Sequence, residues 1–165
     1  MRYAQIREMD ITNGLGIGIA LYTQGCRFHC KNCFNSELWN FTGGNEWNKE
    51  IEDYFLSLAQ PDYITRISIL GGEPFSQENL EDLAKLVKRI RKELPNIKIW
   101  MYTGYLAETL PRFALDILEN IDVLIDGQYI DELRDLKLKF RGSSNQRIID
   151  VKESLKQEKI ILYNI

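Results

Sequence analysis

Apolar residues along the chain follow two patterns, one typical of buried strands and the other of amphipathic helices. Short apolar runs bounded by turn-forming residues predict strands over 15–22, 64–70, 97–102 and 121–126, with shorter ones over 147–151 and 159–163. Apolar residues at helical spacing predict helices over 46–59, 77–94 and about 105–118. Ser76 is the expected N-cap of the second helix, and Pro95 follows its end.

The alternation of strands and helices predicts an α/β fold in a single domain, 1–165. Strands that are separated by helices form parallel sheets with crossover connections. A complete eight-unit barrel needs about 250 residues, whereas this chain has 165. We therefore expect a partial, open (βα) barrel with a mainly parallel sheet.

Four unusual loops each follow a predicted strand. The first loop, 23–37, carries all the cysteines, and the others begin with Gly71-Gly72-Glu73-Pro74, Thr103-Gly104 and Asp126-Gly127. In α/β sheets and barrels of this kind, ligands bind beyond the carboxyl ends of the strands. The sequence thus predicts a binding site at this edge of the sheet.

Composition and charge argue against nucleic acid and membranes as binding partners. The formal net charge is −3 and hydrophobic residues make up 44% of the chain, so the sequence lacks the basic footprint of a nucleic-acid-binding protein. No apolar run approaches the roughly 20 residues that a membrane span needs, and no secretory leader pattern is found. We expect a cytoplasmic protein that binds neither nucleic acid nor membrane.

The three cysteines form the strongest chemical signal. Cys26, Cys30 and Cys33 make a C-x3-C-x2-C pattern, and the chain has no other cysteine. An odd number of closely spaced thiols is a poor disulfide framework, and thiolates select zinc, copper(I) or iron–sulfur clusters. A closed zinc site needs a fourth ligand, for which His29 is the candidate, although it neighbours Cys30. The spacing leaves open an iron–sulfur cluster with one iron free for substrate and a zinc-stabilised binding module.

Several motifs carry a family resemblance. The cysteine loop followed by a strand that ends in Gly-Gly-Glu-Pro resembles the radical S-adenosyl-L-methionine (S-adenosylmethionine) superfamily. Within it, the chain is similar to the anaerobic ribonucleoside-triphosphate reductase activating proteins in Asn13-Gly14-Leu15-Gly16, Thr23-Gln24-Gly25-Cys26, Cys33-Phe34-Asn35 and Arg141-Gly142-Ser143-Ser144-Asn145-Gln146-Arg147. The resemblance runs over most of the chain.

The resemblance implies a cofactor set, an activity and partners. Cys26, Cys30 and Cys33 would hold a 4Fe–4S cluster whose open iron chelates S-adenosylmethionine. Reductive cleavage would give a 5′-deoxyadenosyl radical, which makes a glycyl radical on the reductase large subunit. A flavodoxin or ferredoxin would supply the electron, and no side chain would be catalytic beyond the cluster and cofactor. A radical enzyme acting on a small molecule is the alternative within the superfamily.

The resemblance also implies cofactor contacts, which are Phe34, Gly71, Gly72, Glu73, Pro74, Thr103 and Asp126. The glycines would let the backbone approach the methionyl amino group, which Glu73 helps to hold. Phe34 is the adenine-side candidate because Asn32 occupies the position before the third cysteine, where many relatives carry an aromatic residue.

Each contact has a structural alternative. The Gly-Gly-Glu-Pro segment could be a strand-to-helix turn, and Thr103 or Asp126 could stabilise its own turn. The segment Arg141–Arg147 could line the ligand, order a loop that meets the partner, or be a solvated loop.

Overall fold

The computed structural model describes residues Met1–Ile165 and is built around one seven-stranded sheet. The strands are β1 (Arg2–Asp10), β2 (Gly18–Thr23), β3 (Asn45–Glu46), β4 (Arg66–Gly71), β5 (Lys98–Tyr102), β6 (Val123–Asp126) and β7 (Arg147–Asp150). The helices are α1 (Lys49–Leu58), α2 (Gln77–Glu93), α3 (Leu115–Leu118) and α4 (Val151–Gln157). None of the helices combines the length and apolar character that a membrane crossing requires.

The sheet is mixed, with the strand order β3-β1-β2-β4-β5-β6-β7. Its four central strands, β2, β4, β5 and β6, are parallel. On one side β1 is antiparallel to β2 and β3, and on the other β7 is antiparallel to β6. The α/β class is confirmed, but the prediction of a mainly parallel sheet is wrong, because the outer strands return by loops without a crossover helix. The partial, open barrel stays a prediction.

The two faces of the sheet have different surroundings. Ile67 and Ile69 of β4 are fully buried in the largest apolar cluster, to which all four helices contribute side chains. Side chains alternate along a strand, so the next residue, Leu70, belongs to the opposite face. There it joins a smaller cluster with Tyr22 and the half-buried Tyr102. Each central strand thus supplies one row of side chains to the core and one to the other face.

The start of the chain differs from the prediction. Residues Arg2–Asp10 form β1, which the sequence did not predict because charged and polar residues interrupt its apolar positions and its outer neighbour β3 has only two residues. The strand predicted over 15–22 begins instead at Gly18. Gly14 and Gly16 have φ values of 144° and 75°, so the backbone turns there before the strand begins.

Two further elements are shorter than predicted. The helix expected over 105–118 is broken into 3-10 turns at Ala107–Thr109 and Arg112–Ala114 and the four-residue α3, because Pro111 lies in the middle. The strand expected over 159–163 is an isolated antiparallel bridge between Leu162 and Ile149. The other predicted strands and helices are present, with ends that differ by up to three residues.

Candidate metal centre

The three cysteines lie on the loop that follows β2 and face a common cavity. Cys26 is buried, Cys30 and Cys33 are half-buried, and all three are free thiols. They line a cavity of about 810 Å³, within the size range of small-molecule and cofactor sites. All three sequence-predicted ligands therefore line one cavity at the predicted edge of the sheet.

Backbone hydrogen bonds fix the entrance to this loop. Gly25 N donates to Leu38 O at 2.8 Å, and Cys26 N donates to Trp39 O at 3.1 Å. Gly25 itself has a φ of 92°, and a side chain there would strike the ring of Phe41 at 2.1 Å. The entrance to the loop is thus held by contacts that do not involve the sulfur atoms.

The electrostatic setting of Cys26 opposes its ionisation in the absence of a metal. Burial raises the pKa of the Cys26 thiol, and the nearby Glu73 carboxylate acts in the same direction. Hydrogen bonds from the backbone of Phe28 and His29 offset part of this increase. A metal ligand must be the thiolate, so cation binding is what would stabilise the deprotonated form here.

The donor set fits an iron–sulfur cluster. Cysteine thiolates are the usual ligands of 4Fe–4S clusters, and three free thiols line one cavity large enough for a cofactor. His29, the candidate fourth ligand of a zinc ion, stacks on Trp39 with ring centroids 4.4 Å apart. No group of three His, Cys, Asp or Glu side chains is arranged to hold a single metal ion.

The Gly-Gly-Glu-Pro turn packs directly against the cysteine loop. Glu73 N donates to Gly25 O at 2.7 Å, and Gly72 N donates to Thr23 O at 2.9 Å. A side chain at Gly72 would lie 2.4 Å from Gly25 O, so only glycine permits this approach. The turn and the cysteine loop therefore form one backbone unit.

Glu73 is the central acceptor of this unit. Its carboxylate is 2% exposed and accepts hydrogen bonds from Phe75 N at 2.9 Å, Thr103 Oγ1 at 2.8 Å and Gly104 N at 2.8 Å. Burial raises the pKa of Glu73 to about 7, although these three hydrogen bonds lower it. The carboxylate thus joins the end of β4 to the end of β5.

The other predicted cofactor contacts fall into two groups. Gly71, Gly72, Glu73 and Thr103 line the cavity, and so does the largely exposed Phe34. The remaining two predicted contacts, Pro74 and Asp126, are buried outside the cavity lining.

Asp126 is bound by protein groups rather than facing the cavity. Its fully buried carboxylate accepts a hydrogen bond from Arg147 Nε at 2.9 Å and another from Ala107 N at 2.8 Å. Arg147 also pairs with Glu108, with an Nη2–Oε2 distance of 2.6 Å. The pair ties the end of β6 to the start of β7.

A buried ion pair joins the end of β1 to the start of β4. Arg66, which is fully buried, donates to Asp10 Oδ2 at 2.8 Å and to the Asp10 carbonyl at 2.7 Å. It also donates to the carbonyl oxygens of Asn13 and Leu15. Burial raises the pKa of Asp10, but the hydrogen bonds from Arg66 and Thr12 and the charge of Arg66 together bring it below its ordinary value.

Sequence reasoning missed part of the cavity wall. Arg7, Thr12, Asn13 and Trp39 line the cavity, although the sequence did not assign them to the site. Arg7, Thr12 and Asn13 reach the site through β1 and the loop after it, which the sequence pattern did not place, and Trp39 follows the cysteine loop. Only the Asn13 motif gave a signal, because it forms part of the family resemblance.

Comparisons with known proteins support the same interpretation. Residues 12–149 match the family model described as "4Fe-4S single cluster domain". The chain is similar to an anaerobic ribonucleoside-triphosphate reductase-activating protein of Escherichia coli strain K12, with 38% identity over 88% of this chain and 96% of the relative. The proteins of that name from Vibrio cholerae and Enterobacteria phage T4 are 37% and 34% identical, each over 90% of this chain and over 97% and 93% of the relative.

Proposed function

The chain belongs to the anaerobic ribonucleoside-triphosphate reductase-activating proteins, and we propose that it activates such a reductase by installing a glycyl radical on its large subunit. The observation that carries the proposal is the meeting of three free thiols and the Gly-Gly-Glu-Pro turn at one cavity. The chemistry that a bound 4Fe–4S cluster supplies is one-electron reduction of S-adenosylmethionine to methionine and a 5′-deoxyadenosyl radical, which takes a hydrogen atom from a reductase glycine.

The three cysteines would hold the cluster as thiolates. Cys26 is the buried ligand, and Cys30 and Cys33 lie nearer the surface. With three cysteine ligands and four irons, one iron is left for the amino and carboxylate groups of S-adenosylmethionine. A flavodoxin or ferredoxin is the proposed electron donor.

Glu73 has capacity for one more hydrogen bond. An ionised carboxylate offers about four acceptor positions, and protein donors occupy three of them. We assign the remaining position to the methionyl amino group. Gly71 and Gly72 would leave room for that group beside the backbone, and Thr103 would fix the carboxylate that receives it.

The other predicted contacts would serve the same cofactor by different routes. Phe34, which is 60% exposed, stands at the rim of the cavity, where an aromatic face suits adenine. Pro74 would stiffen the turn, and Asp126 would act through Arg147 by holding the loop before β7 in place. No side chain needs to transfer a proton in this scheme.

The target glycine of the reductase would reach the cavity from its open side. The rim carries exposed apolar side chains, among them Phe34 and Leu136. The reductase would then complete the wall that excludes water from the radical.

An anaerobic activation assay tests the proposal. The protein is reconstituted with iron and sulfide, reduced, and given S-adenosylmethionine with and without a reductase whose glycine residues carry deuterium. We expect 5′-deoxyadenosine that contains deuterium, together with a glycyl radical signal in electron paramagnetic resonance. Cleavage without deuterium transfer or radical would instead indicate a different substrate, and no cleavage would exclude the radical mechanism.

A further inference from the structure

Three hydrogen-bond donors that line the cavity have no acceptor. Trp39 Nε1, Tyr102 Oη and Arg141 Nε are each buried without a hydrogen-bond partner, and all three residues contribute to the cavity wall. Buried polar groups in proteins are almost always paired, so unpaired donors that share one cavity indicate a ligand rich in acceptor atoms. Among the three, only the guanidinium carries a charge.

Two arginines of the same motif differ in their partners. Arg147 has two carboxylate partners, Asp126 and Glu108, and these contacts raise its pKa further. Arg141, six residues earlier, faces the cavity with its Nε unpaired. Asp135 lines the same cavity, but its carboxylate accepts a hydrogen bond from Lys137 N at 2.8 Å. Arg147 thus stabilises the fold, whereas Arg141 is available to bind a ligand.

The polar side chains between the two arginines fix the loop. Gln146 Oε1 accepts hydrogen bonds from Gly142 N at 2.9 Å and Ser143 N at 3.1 Å, and its Nε2 donates to Gly127 O at 3.0 Å. Asn145 Nδ2 donates to Gln128 O at 2.8 Å. These bonds hold the backbone immediately after Arg141, so its position is set before any ligand arrives.

Arg141 lies on the side of the cavity where the cysteine loop ends. A side chain added at the next residue, Gly142, would contact the ring of Tyr129 at 3.0 Å and that of Phe34 at 3.5 Å. Phe34 directly follows Cys33, and its ring packs on Tyr129 with centroids 5.6 Å apart. The loop after Arg141 therefore packs on residues next to the third cysteine.

We propose that Arg141 binds the carboxylate of the methionyl group of S-adenosylmethionine. The proposal rests on the function proposed above. A guanidinium donates charge-assisted hydrogen bonds to a carboxylate, and one carboxylate oxygen stays available to it when the other binds the open iron. The carboxylate is also the only anionic group of this cofactor. Arg141 is a positioning residue, because it orients the methionyl group while the reacting sulfonium lies elsewhere on the molecule.

Equilibrium binding under anaerobic conditions tests this assignment without turnover. Reconstituted protein with its cluster oxidised is titrated with S-adenosylmethionine and with its decarboxylated analogue, which lacks only the carboxylate. The variants are Arg141→Gln, Arg141→Lys and the matched control Lys139→Gln, which removes one positive charge from an exposed neighbour outside the cavity lining. Iron content and thermal unfolding establish that each variant is folded and loaded.

We expect Arg141→Gln to weaken S-adenosylmethionine binding roughly 10- to 100-fold, as loss of a hydrogen-bonded charge pair does. Its affinity for the decarboxylated analogue should equal that of the wild type. The affinity of Arg141→Lys for S-adenosylmethionine should lie between those of the wild type and Arg141→Gln. Lys139→Gln should bind both ligands as the wild type does.

Two results would overturn the assignment and leave the proposed function standing. One is unchanged S-adenosylmethionine binding by a folded, loaded Arg141→Gln protein, and the other is an equal loss for both ligands. Failure of the loaded wild type to bind S-adenosylmethionine would instead reject the proposed function, and the role of Arg141 with it.

Discussion

The hydroxyl of Thr103 donates a hydrogen bond of 2.8 Å to Glu73 Oε1, although the two residues are 30 positions apart. The same hydroxyl accepts a hydrogen bond from Tyr105 N at 3.1 Å. Thr103 therefore links the loop after β5 to the turn after β4 through two hydrogen bonds.

Replacing Thr103 with valine removes the hydroxyl and keeps the shape. It leaves one bond of the buried Glu73 carboxylate unmade, so we expect the free energy of unfolding to fall by about 1–3 kcal/mol. Thr103→Ser, which retains the hydroxyl, should lose less, and urea unfolding of the three proteins measures the difference. An unchanged stability of Thr103→Val, alongside a loss in Thr103→Ser, would show that the methyl group, and not the hydrogen bond, is what matters.

The Glu73 carboxylate should give the protein a pH-dependent stability. Its pKa is raised in the folded state to about 7 from an ordinary value of 4.5, so the folded protein holds a proton that the unfolded chain has already released. Stability therefore falls as the pH rises from about 4.5 to about 7 and is constant, as far as Glu73 contributes, above that range.

Glu73→Gln does not titrate and serves as the reference. Relative to it, the metal-free wild type should lose on the order of 3 kcal/mol across this pH range. Urea unfolding at several pH values measures the loss, with the exposed Glu119→Gln as the matched control. A difference between wild type and Glu73→Gln that does not vary with pH would contradict the prediction.

Gly72→Ala should separate the turn from the cysteine loop. The added Cβ would lie 2.4 Å from Gly25 O, a backbone atom that cannot move without the loop. We expect a loss of stability of more than about 2 kcal/mol and weaker cluster assembly. At Gly127, where φ is 97°, a Cβ meets nothing closer than 3.5 Å. Gly127→Ala should therefore cost only backbone strain, about 1–2 kcal/mol, and spare the cluster.

Asp10→Asn should break the buried ion pair that joins the end of β1 to the start of β4. It leaves the fully buried Arg66 without its carboxylate partner, and breaking such a pair costs about 3–5 kcal/mol. The pKa of Asp10 is lowered in the folded state, so its contribution is present above about pH 4 and is lost as the pH falls through the lowered pKa. The unfolding free energies of wild type and variant should thus converge in acid, while the exposed Asp62→Asn should match the wild type throughout.

Cys30→Ala should abolish cluster assembly, because two thiolates do not hold a 4Fe–4S cluster. Iron and sulfide analysis after anaerobic reconstitution, together with the visible absorption spectrum, measures the outcome. His29→Ala is the matched control from the same loop and should retain the cluster. A full iron content in Cys30→Ala would reject the assignment of the ligands, and metal loss in His29→Ala would favour the zinc alternative.

The sequence predicted the central part of the molecule well, for a physical reason. The strands β4, β5 and β6 are buried runs of apolar residues, and α2 repeats its apolar residues at helical spacing. Burial selects apolar residues at these positions, so the pattern of apolar residues in the sequence predicts the elements. The loops that follow these strands consequently met where they were expected.

The outer parts of the fold depended on contacts that the sequence does not show. β1 has half-buried and exposed positions in no regular alternation, and β7 pairs with β6 in the antiparallel direction. The role of Asp126 was uncertain for the same reason, since its partner Arg147 lies 21 residues away. The sequence likewise does not show that Arg147 is paired with carboxylates whereas Arg141 Nε is unpaired.

The backbone hydrogen bonds at Gly25 and Cys26 bear on what happens to the protein when it is exposed to oxygen. These bonds, together with the one from Glu73 N to Gly25 O, fix the entrance to the cysteine loop without any help from the sulfur atoms. The cysteine loop would then keep its fold after oxidative loss of the metal. We therefore expect that protein which has lost its cluster in air can be reconstituted without refolding, so that activity returns without new protein synthesis.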